Sequence, residues 1–147
     1  MKEVYPMHIP QISSEQAKKI LDENPNALYV DVRSVKEFVQ GHAAGAINIP
    51  LLDFNEEFGQ MMPNPDFLKV FEANVPKDKM LVVGCQAGGR SQKACEHLAT
   101  NAYTTLHNIV GGYGGVPNAP GWKQLGFPVS QENGEGVGYA FLKERPQ

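Results

Sequence analysis

The 147 residues carry 13 Lys and Arg against 16 Asp and Glu, a net charge of −3, which gives no electrostatic reason to expect nucleic acid or an anionic membrane as a partner. The 15 Gly and 11 Pro make about 18% of the chain, above the usual ~12% and below the ~25–30% of disordered chains, and a chain of this size buries roughly 70% of the surface its unfolded form exposes. One turn-rich globular domain is expected, with no need of disulfides or structural metal.

Ser13 and Gln16 form a capping box ahead of Ala17, Ile20 and Leu21, which predicts a first helix ending near Asn24-Pro25. Residues 27–32 are mostly apolar and rich in Val and Tyr, as a strand buried on both faces should be. Ser34 and Glu37 make a second capping box for a brief helix over 35–40, which Gly41 is expected to end in a left-handed turn. A short strand is predicted over 46–49. Asn64 as N-cap, Pro65 at the first helical position and the stripe Phe67, Leu68, Phe71 predict a helix reaching about Asn74. Residues 80–84 read as the next buried strand, 91–100 as a helix with Ala94, Cys95, Leu98 and Ala99 on one face, and 104–110 as the last core strand. After a glycine-rich stretch, Trp122 and Leu125 predict one closing helix. The tail from Ser130, with Tyr139-Ala140-Phe141-Leu142, either docks on the body or hangs free.

Strands separated by helices of this length require right-handed crossovers. The fold class is therefore α/β, a central parallel sheet flanked by helices, with the working loops at the strand C-termini. A site is expected after Gly84. The two cysteines, Cys85 and Cys95, have nine residues between them and offer neither a disulfide framework nor a Cys-x-x-Cys motif, which favours a reducing compartment. The start of the chain, residues 1–6, lacks the apolar core of a signal peptide, and no apolar run approaches ~18 residues. The expected setting is soluble and cytoplasmic, unless a leader was trimmed.

The stretch Cys85-Gln86-Ala87-Gly88-Gly89-Arg90-Ser91 between a strand and a helix places a thiol where backbone N–H groups and a helix N-terminus converge. Positive potential there favours thiolate over thiol and makes Cys85 the candidate nucleophile. Gly88 and Gly89 allow the loop to curl its amides inward around an atom on the sulfur, and Arg90 adds a permanent cation. The bland alternatives are a buried structural Cys85 in a tight turn, and an Arg90 that only pairs with Asp31 or Glu37. Gly84-x-x-x-x-Gly89-Arg90-Ser91 imitates a nucleotide-binding P-loop, but Arg stands where Lys is required and no strand-ending Asp follows to hold Mg²⁺. Cys95 reads as core, with a resolving thiol as the other reading. His8, His97 and His107 are scattered with no ligand spacing around them, so no metal is expected. His42 reads as a loop-orienting residue, and Tyr113 as lining the mouth of the pocket.

Asp31-Val32-Arg33, Glu37-Phe38, Gly41-His42, Gly45-Ala46-Ile47-Asn48-Ile49-Pro50, the run from Cys85 to Ser91, Gly111-Gly112 and Gly126-Phe127-Pro128-Val129 together resemble a single-domain rhodanese. The match spans about residues 10–129, leaving 130–147 as a C-terminal extension. The resemblance implies the three-layer rhodanese-like fold and a sulfurtransferase needing no cofactor. Cys85 would accept the outer sulfur of thiosulfate or a persulfide donor, and pass it to cyanide, a thiol or a protein acceptor. The amides from Gln86 to Ser91 would hold the sulfur while Arg90 steers the donor. Asp31 and Arg33 look like a structural pair. Related Cys-dependent phosphatases place one more residue between Cys and Arg than the four found here. One residue is worth up to ~3.5 Å of reach, so this shorter ring suits a sulfur atom and crowds a phosphoryl group. The remaining alternatives are a persulfide-carrying or redox interaction module and, with less support, a phosphatase or arsenate reductase. The stretch from Gly112 to Trp122 is longer than relatives usually show, which bears on acceptor choice.

Overall fold

Ser13 starts the first helix as its capping box requires: its hydroxyl accepts from the Gln16 N–H at 3.1 Å while the Gln16 side chain accepts from the Ser13 N–H at 2.8 Å. The computed structural model describes residues 8–146; residues 1–6, read above for a leader, and the last residue of the extension lie outside them. In chain order the elements are β1 (Gln11–Ile12), α1 (Ser14–Glu23), β2 (Leu28–Asp31), α2 (Val35–Gln40), β3 (His42–Ala43), β4 (Ile47–Asn48) and β5 (Leu52–Asn55). There follow β6 (Gln60–Pro63), α3 (Phe67–Asn74), β7 (Leu81–Gly84), α4 (Gly89–Ala99), β8 (Leu106–Ile109), β9 (Val129–Ser130) and α5 (Tyr139–Leu142).

Five strands form one parallel sheet in the order β1-β8-β7-β2-β4, with Val30 opposite Val83 and Val83 opposite Asn108. The strand β7 is central, and all four of its residues are buried, as a parallel strand covered on both faces should be. Alternation divides the core into two. Val30, Val83 and Cys85 pack with Phe67, Phe71 and Leu98 of α3 and α4, while Tyr29, Val82 and Ile109 pack with Ala17, Phe38 and Trp122 on the other face. The expected three layers are present.

Four local expectations change. Gly41 does close α2, but at φ 150° and ψ 140°, an extended glycine conformation and not the left-handed turn. The third helix begins at Phe67 with Asp66 as its cap: Asn64 Oδ1 does accept from the Asp66 N–H at 3.0 Å, as a cap would, but over a turn that precedes the helix, while its Nδ2 donates to the Pro50 carbonyl at 2.9 Å. Pro65 therefore sits in a turn that precedes the helix. No helix forms around Trp122. The Trp122 and Lys123 N–H groups donate to Gly112 and Tyr113, and the Trp122 indole donates to Pro128, so this stretch pairs with the loop after β8. The antiparallel hairpin β5–β6 and the edge strand β1, paired with β8, were not expected from the sequence.

The tail docks. The Asn64 Nδ2 donates to the Tyr139 hydroxyl at 3.0 Å and the Asn74 Nδ2 to the Leu142 carbonyl at 3.0 Å, while Tyr139 and Leu142 enter the α3 side of the core. Removing a buried leucine side chain costs about 2–5 kcal/mol by lost transfer energy and cavity formation. Leu142→Ala is thus expected to lower unfolding free energy by about that amount in urea titration. A change within ~0.5 kcal/mol, the range of surface substitutions, would mean that the tail is not part of the folded core.

Candidate active site

Cys85 leaves the C-terminal end of the central strand, and the chain cannot turn there without help. The Tyr113 N–H donates to the Cys85 carbonyl at 2.8 Å and the Gly114 N–H to the Gln86 carbonyl at 3.0 Å, so the loop after β8 clamps the start of the active loop. Gly112 makes this clamp possible, since at φ 61° a Cβ there would stand 2.6 Å from both carbonyl oxygens. Gly88, at φ 95°, caps α4, and a side chain there would strike the Val110 carbonyl. The turn aims main-chain donors at the sulfur: the Gly88 N–H lies 3.0 Å and the Ser91 N–H 3.4 Å from Cys85 Sγ, with the Ser91 hydroxyl at 3.4 Å. These donors lie in the first turn of α4, whose N-terminal partial charge favours a negative sulfur.

Among the described residues, the N–H groups bonded to Sγ itself are those of Gly88 and Ser91. The cysteine is only 2% exposed, seated inside the loop. A mostly enclosed sulfur keeps the N–H interactions strong by excluding water, at the cost of restricting which reagents reach it.

The charges around the loop are mostly paired. Arg90 makes a two-pronged bond to Glu37, Nη1 to Oε1 at 2.7 Å and Nη2 to Oε2 at 3.0 Å. Arg33 does the same with Asp31, Nε to Oδ1 at 3.0 Å and Nη2 to Oδ2 at 2.8 Å, both side chains being buried. The bond to Glu37 raises the pKa of Arg90. Burial disfavours the Glu37 charge, yet hydrogen bonds from Arg90 and Ser34 outweigh it and hold the carboxyl at about 2. Burial likewise opposes the Arg33 charge, and the Asp31 carboxylate more than restores it.

Beside Gln86 lies an open cleft of about 440 Å³. Arg33, Gln40, Tyr113, Lys36 and Lys123 contribute to its walls, and the Arg33 guanidinium sits 4.5 Å from the centre of the Tyr113 ring. Tyr113 thus stands at the position expected for the pocket mouth. Lys36, Gln40 and Lys123 carried no signal in the sequence: two fall on the outer face of a short helix, and the third in the stretch read as a closing helix. A further cavity of about 290 Å³, bordered by His8, Tyr103 and His107, opens where β8 begins, at the opposite end of the sheet from Cys85.

The other candidates fall away from the loop. Cys95 is fully buried, and burial, with the charges of Glu96 and Cys85 adding to it, pushes its thiol up to about 12, so it packs as a core residue. His42 stacks on Phe38 and bridges the Ala43 and Glu132 carbonyls, tying the tail to the body. Among the described residues, no group of three or more His, Cys, Asp and Glu side chains is placed to hold a metal ion.

A family model described as a rhodanese-like domain matches residues 13–118. The chain is 42% identical over 101 residues to thiosulfate sulfurtransferase 16, chloroplastic, of Arabidopsis thaliana, covering 69% of this chain and 78% of that protein. It is 33% identical over 129 residues to thiosulfate sulfurtransferase 18 of the same plant, covering 86% and 88%. Among solved structures, Rv0390 from M. tuberculosis superposes with a TM-score of 0.71 at 24% identity, over 86% of this chain and all of that one, a likeness of fold.

The lowered pKa of Glu37 sets a pH dependence. Because the folded value lies below the ordinary one of 4.5, its stabilising contribution is complete above about 4.5 and is lost as pH falls toward about 2. Glu37→Gln should therefore lower the urea midpoint at pH 6 and narrow its gap to the unsubstituted protein by pH 3. An equal gap at both values would show that the Arg90 pair does not hold Glu37 ionised.

Proposed function

The chain belongs to the rhodanese-like domain family, and on that premise we propose that it is a sulfurtransferase that carries a sulfane sulfur on Cys85. The observation that supports this reading most is the convergence of the Gly88 and Ser91 N–H groups on Sγ at the start of α4. Such donors stabilise a negative sulfur without requiring a proton-transfer residue. The Cys85 thiolate attacks the outer sulfur of thiosulfate; an S–S bond to Cys85 forms, the bond to the sulfite group breaks, and the electron pair leaves with sulfite. Cyanide or a thiolate then attacks the outer sulfur of the Cys85 persulfide, and the electron pair of the broken S–S bond returns to Cys85. Neither step consumes an external oxidant or reductant.

A low-molecular-weight persulfide serves equally as donor in this scheme, with a thiolate leaving in place of sulfite. Burial of Cys85 constrains the loading step, in which Sγ itself meets the donor, more than the second step, in which the reacting atom is a sulfur about 2.05 Å beyond it. The four-residue spacing between Cys85 and Arg90 favours sulfur over a phosphoryl group as cargo. Arg90, paired with Glu37, contributes as one half of a neutral clamp that holds α2 against the loop, with donor steering left chiefly to the open cleft and its lysines. Two unpaired cysteines suit a reducing compartment, and we place the protein in one.

Thiocyanate formation from thiosulfate and cyanide, measured beside intact mass after thiosulfate treatment, tests the proposal. The expected result is turnover together with a gain of one sulfur atom on Cys85. Cys85→Ser should lose both, and Cys95→Ser should keep both. The mass gain without turnover would mean a persulfide-carrying module that hands sulfur to a protein acceptor. Cleavage of a phenyl phosphate with no mass gain would contradict sulfur transfer altogether.

A further inference from the structure

Behind the loop, a line of amides running from the exposed Gln11 to the buried Asn108 fixes which way the Ser91 hydroxyl points. Ser91 is fully buried and Asn108, on β8, is 2% exposed, so the protons at this inner end have definite owners. At the far end, the Ile9 carbonyl can only accept, and the Gln11 Nε2 donates to it at 3.0 Å, with the Gln92 side-chain oxygen as a second acceptor at 2.6 Å. The Gln11 carboxamide is thereby oriented, and its Oε1 accepts from the Asn108 Nδ2 at 2.8 Å. Asn108 in turn presents Oδ1 to Ser91, whose hydroxyl lies 2.5 Å away.

A hydroxyl has one proton, and three acceptors surround this one: Asn108 Oδ1 at 2.5 Å, the Gly88 carbonyl at 3.1 Å and Cys85 Sγ at 3.4 Å. The shortest contact is to Asn108. With its proton held there, the Ser91 oxygen turns a lone pair, not a proton, toward the sulfur. Among the described residues, the donors then left on Sγ are the two main-chain N–H groups.

We infer that Asn108, oriented by Gln11, is a positioning residue that keeps the Ser91 proton off Cys85 Sγ and so leaves a sulfur lone pair free to attack. Without it, the hydroxyl proton is shared between the Gly88 carbonyl at 3.1 Å and Sγ at 3.4 Å, and whenever it turns to the sulfur it caps that lone pair as a third donor. Gln11 precedes the segment matched by the family model, so the edge strand β1 enters the site through this line. The inference rests on Cys85 being the nucleophile.

The test is a double-mutant cycle read as the rate of Cys85 alkylation by iodoacetamide, a reaction that needs the sulfur lone pair but no sulfur transfer. Asn108→Ala should slow alkylation by about five- to tenfold in the unsubstituted background and by less than about twofold when Ser91 is already Ala, the mark of two residues acting through one group. Gln11→Leu, at an exposed edge position that spares the core, should show a smaller loss that also vanishes in Ser91→Ala. If Asn108→Ala does not fold, the Gln11 cycle decides alone. Equal slowing in both backgrounds, or no slowing by either variant, would overturn the inference, since a merely structural Asn108 acts whether or not Ser91 has a hydroxyl. Thiosulfate loading followed by mass on the same proteins separates the two readings. Coupled alkylation without loading removes sulfur carriage and leaves the wiring, whereas loading with uncoupled rates removes the wiring and leaves sulfur carriage.

Discussion

Two main-chain N–H groups, those of Gly88 and Ser91, point at Cys85 Sγ, and much of the molecule serves to keep them there. The requirement is geometric. A strand must stop at Gly84, the chain must pass through a left-handed glycine at position 88, and a helix must begin within one turn of the thiol. The loop after β8 closes the arrangement from above by bonding the carbonyls of Cys85 and Gln86, which can approach only because residue 112 is glycine. The central position of β7 then gives the sulfur a rigid floor, since both neighbouring strands are paired along it.

The electrostatics are economical. Three of the charged groups nearest the loop, Arg90, Arg33 and Glu37, are engaged in two-pronged pairs, the last with Arg90 and Arg33 with Asp31. These pairs fasten α2 and the end of β2 to the site more than they advertise charge. The sulfur is stabilised by oriented dipoles, which need no reorganisation when negative charge appears. The lysines around the neighbouring cleft remain as the exposed positive groups on the approach.

The working loop was legible because its chemistry is local: a strand end, two glycines and a helix start are adjacent in the chain. The same is true of both capping boxes, where Ser13 with Gln16 and Ser34 with Glu37 satisfy one another within four residues. What escaped depends on distant partners. Trp122 looks helical until Gly112 and Pro128 claim its N–H groups, and nothing near Asn64 shows that its amide nitrogen reaches Pro50 and Tyr139. The sequence left Asp31 and Glu37 both open as partners of Arg90, and a buried Cys85 as an alternative, without deciding either; no local pattern shows that Gln11 and Asn108 stand behind Ser91. Their partners lie more than fifteen residues away in the chain.

The central claim is that residue 85 carries sulfur held by the amides at the start of α4. Amide spectra of isotopically labelled protein, recorded before and after thiosulfate treatment, test it most directly. The Gly88 and Ser91 N–H resonances should move furthest and return when cyanide is added, with no movement in Cys85→Ser. Resonances that shift elsewhere, or that stay in place while Cys85 gains sulfur, would contradict it.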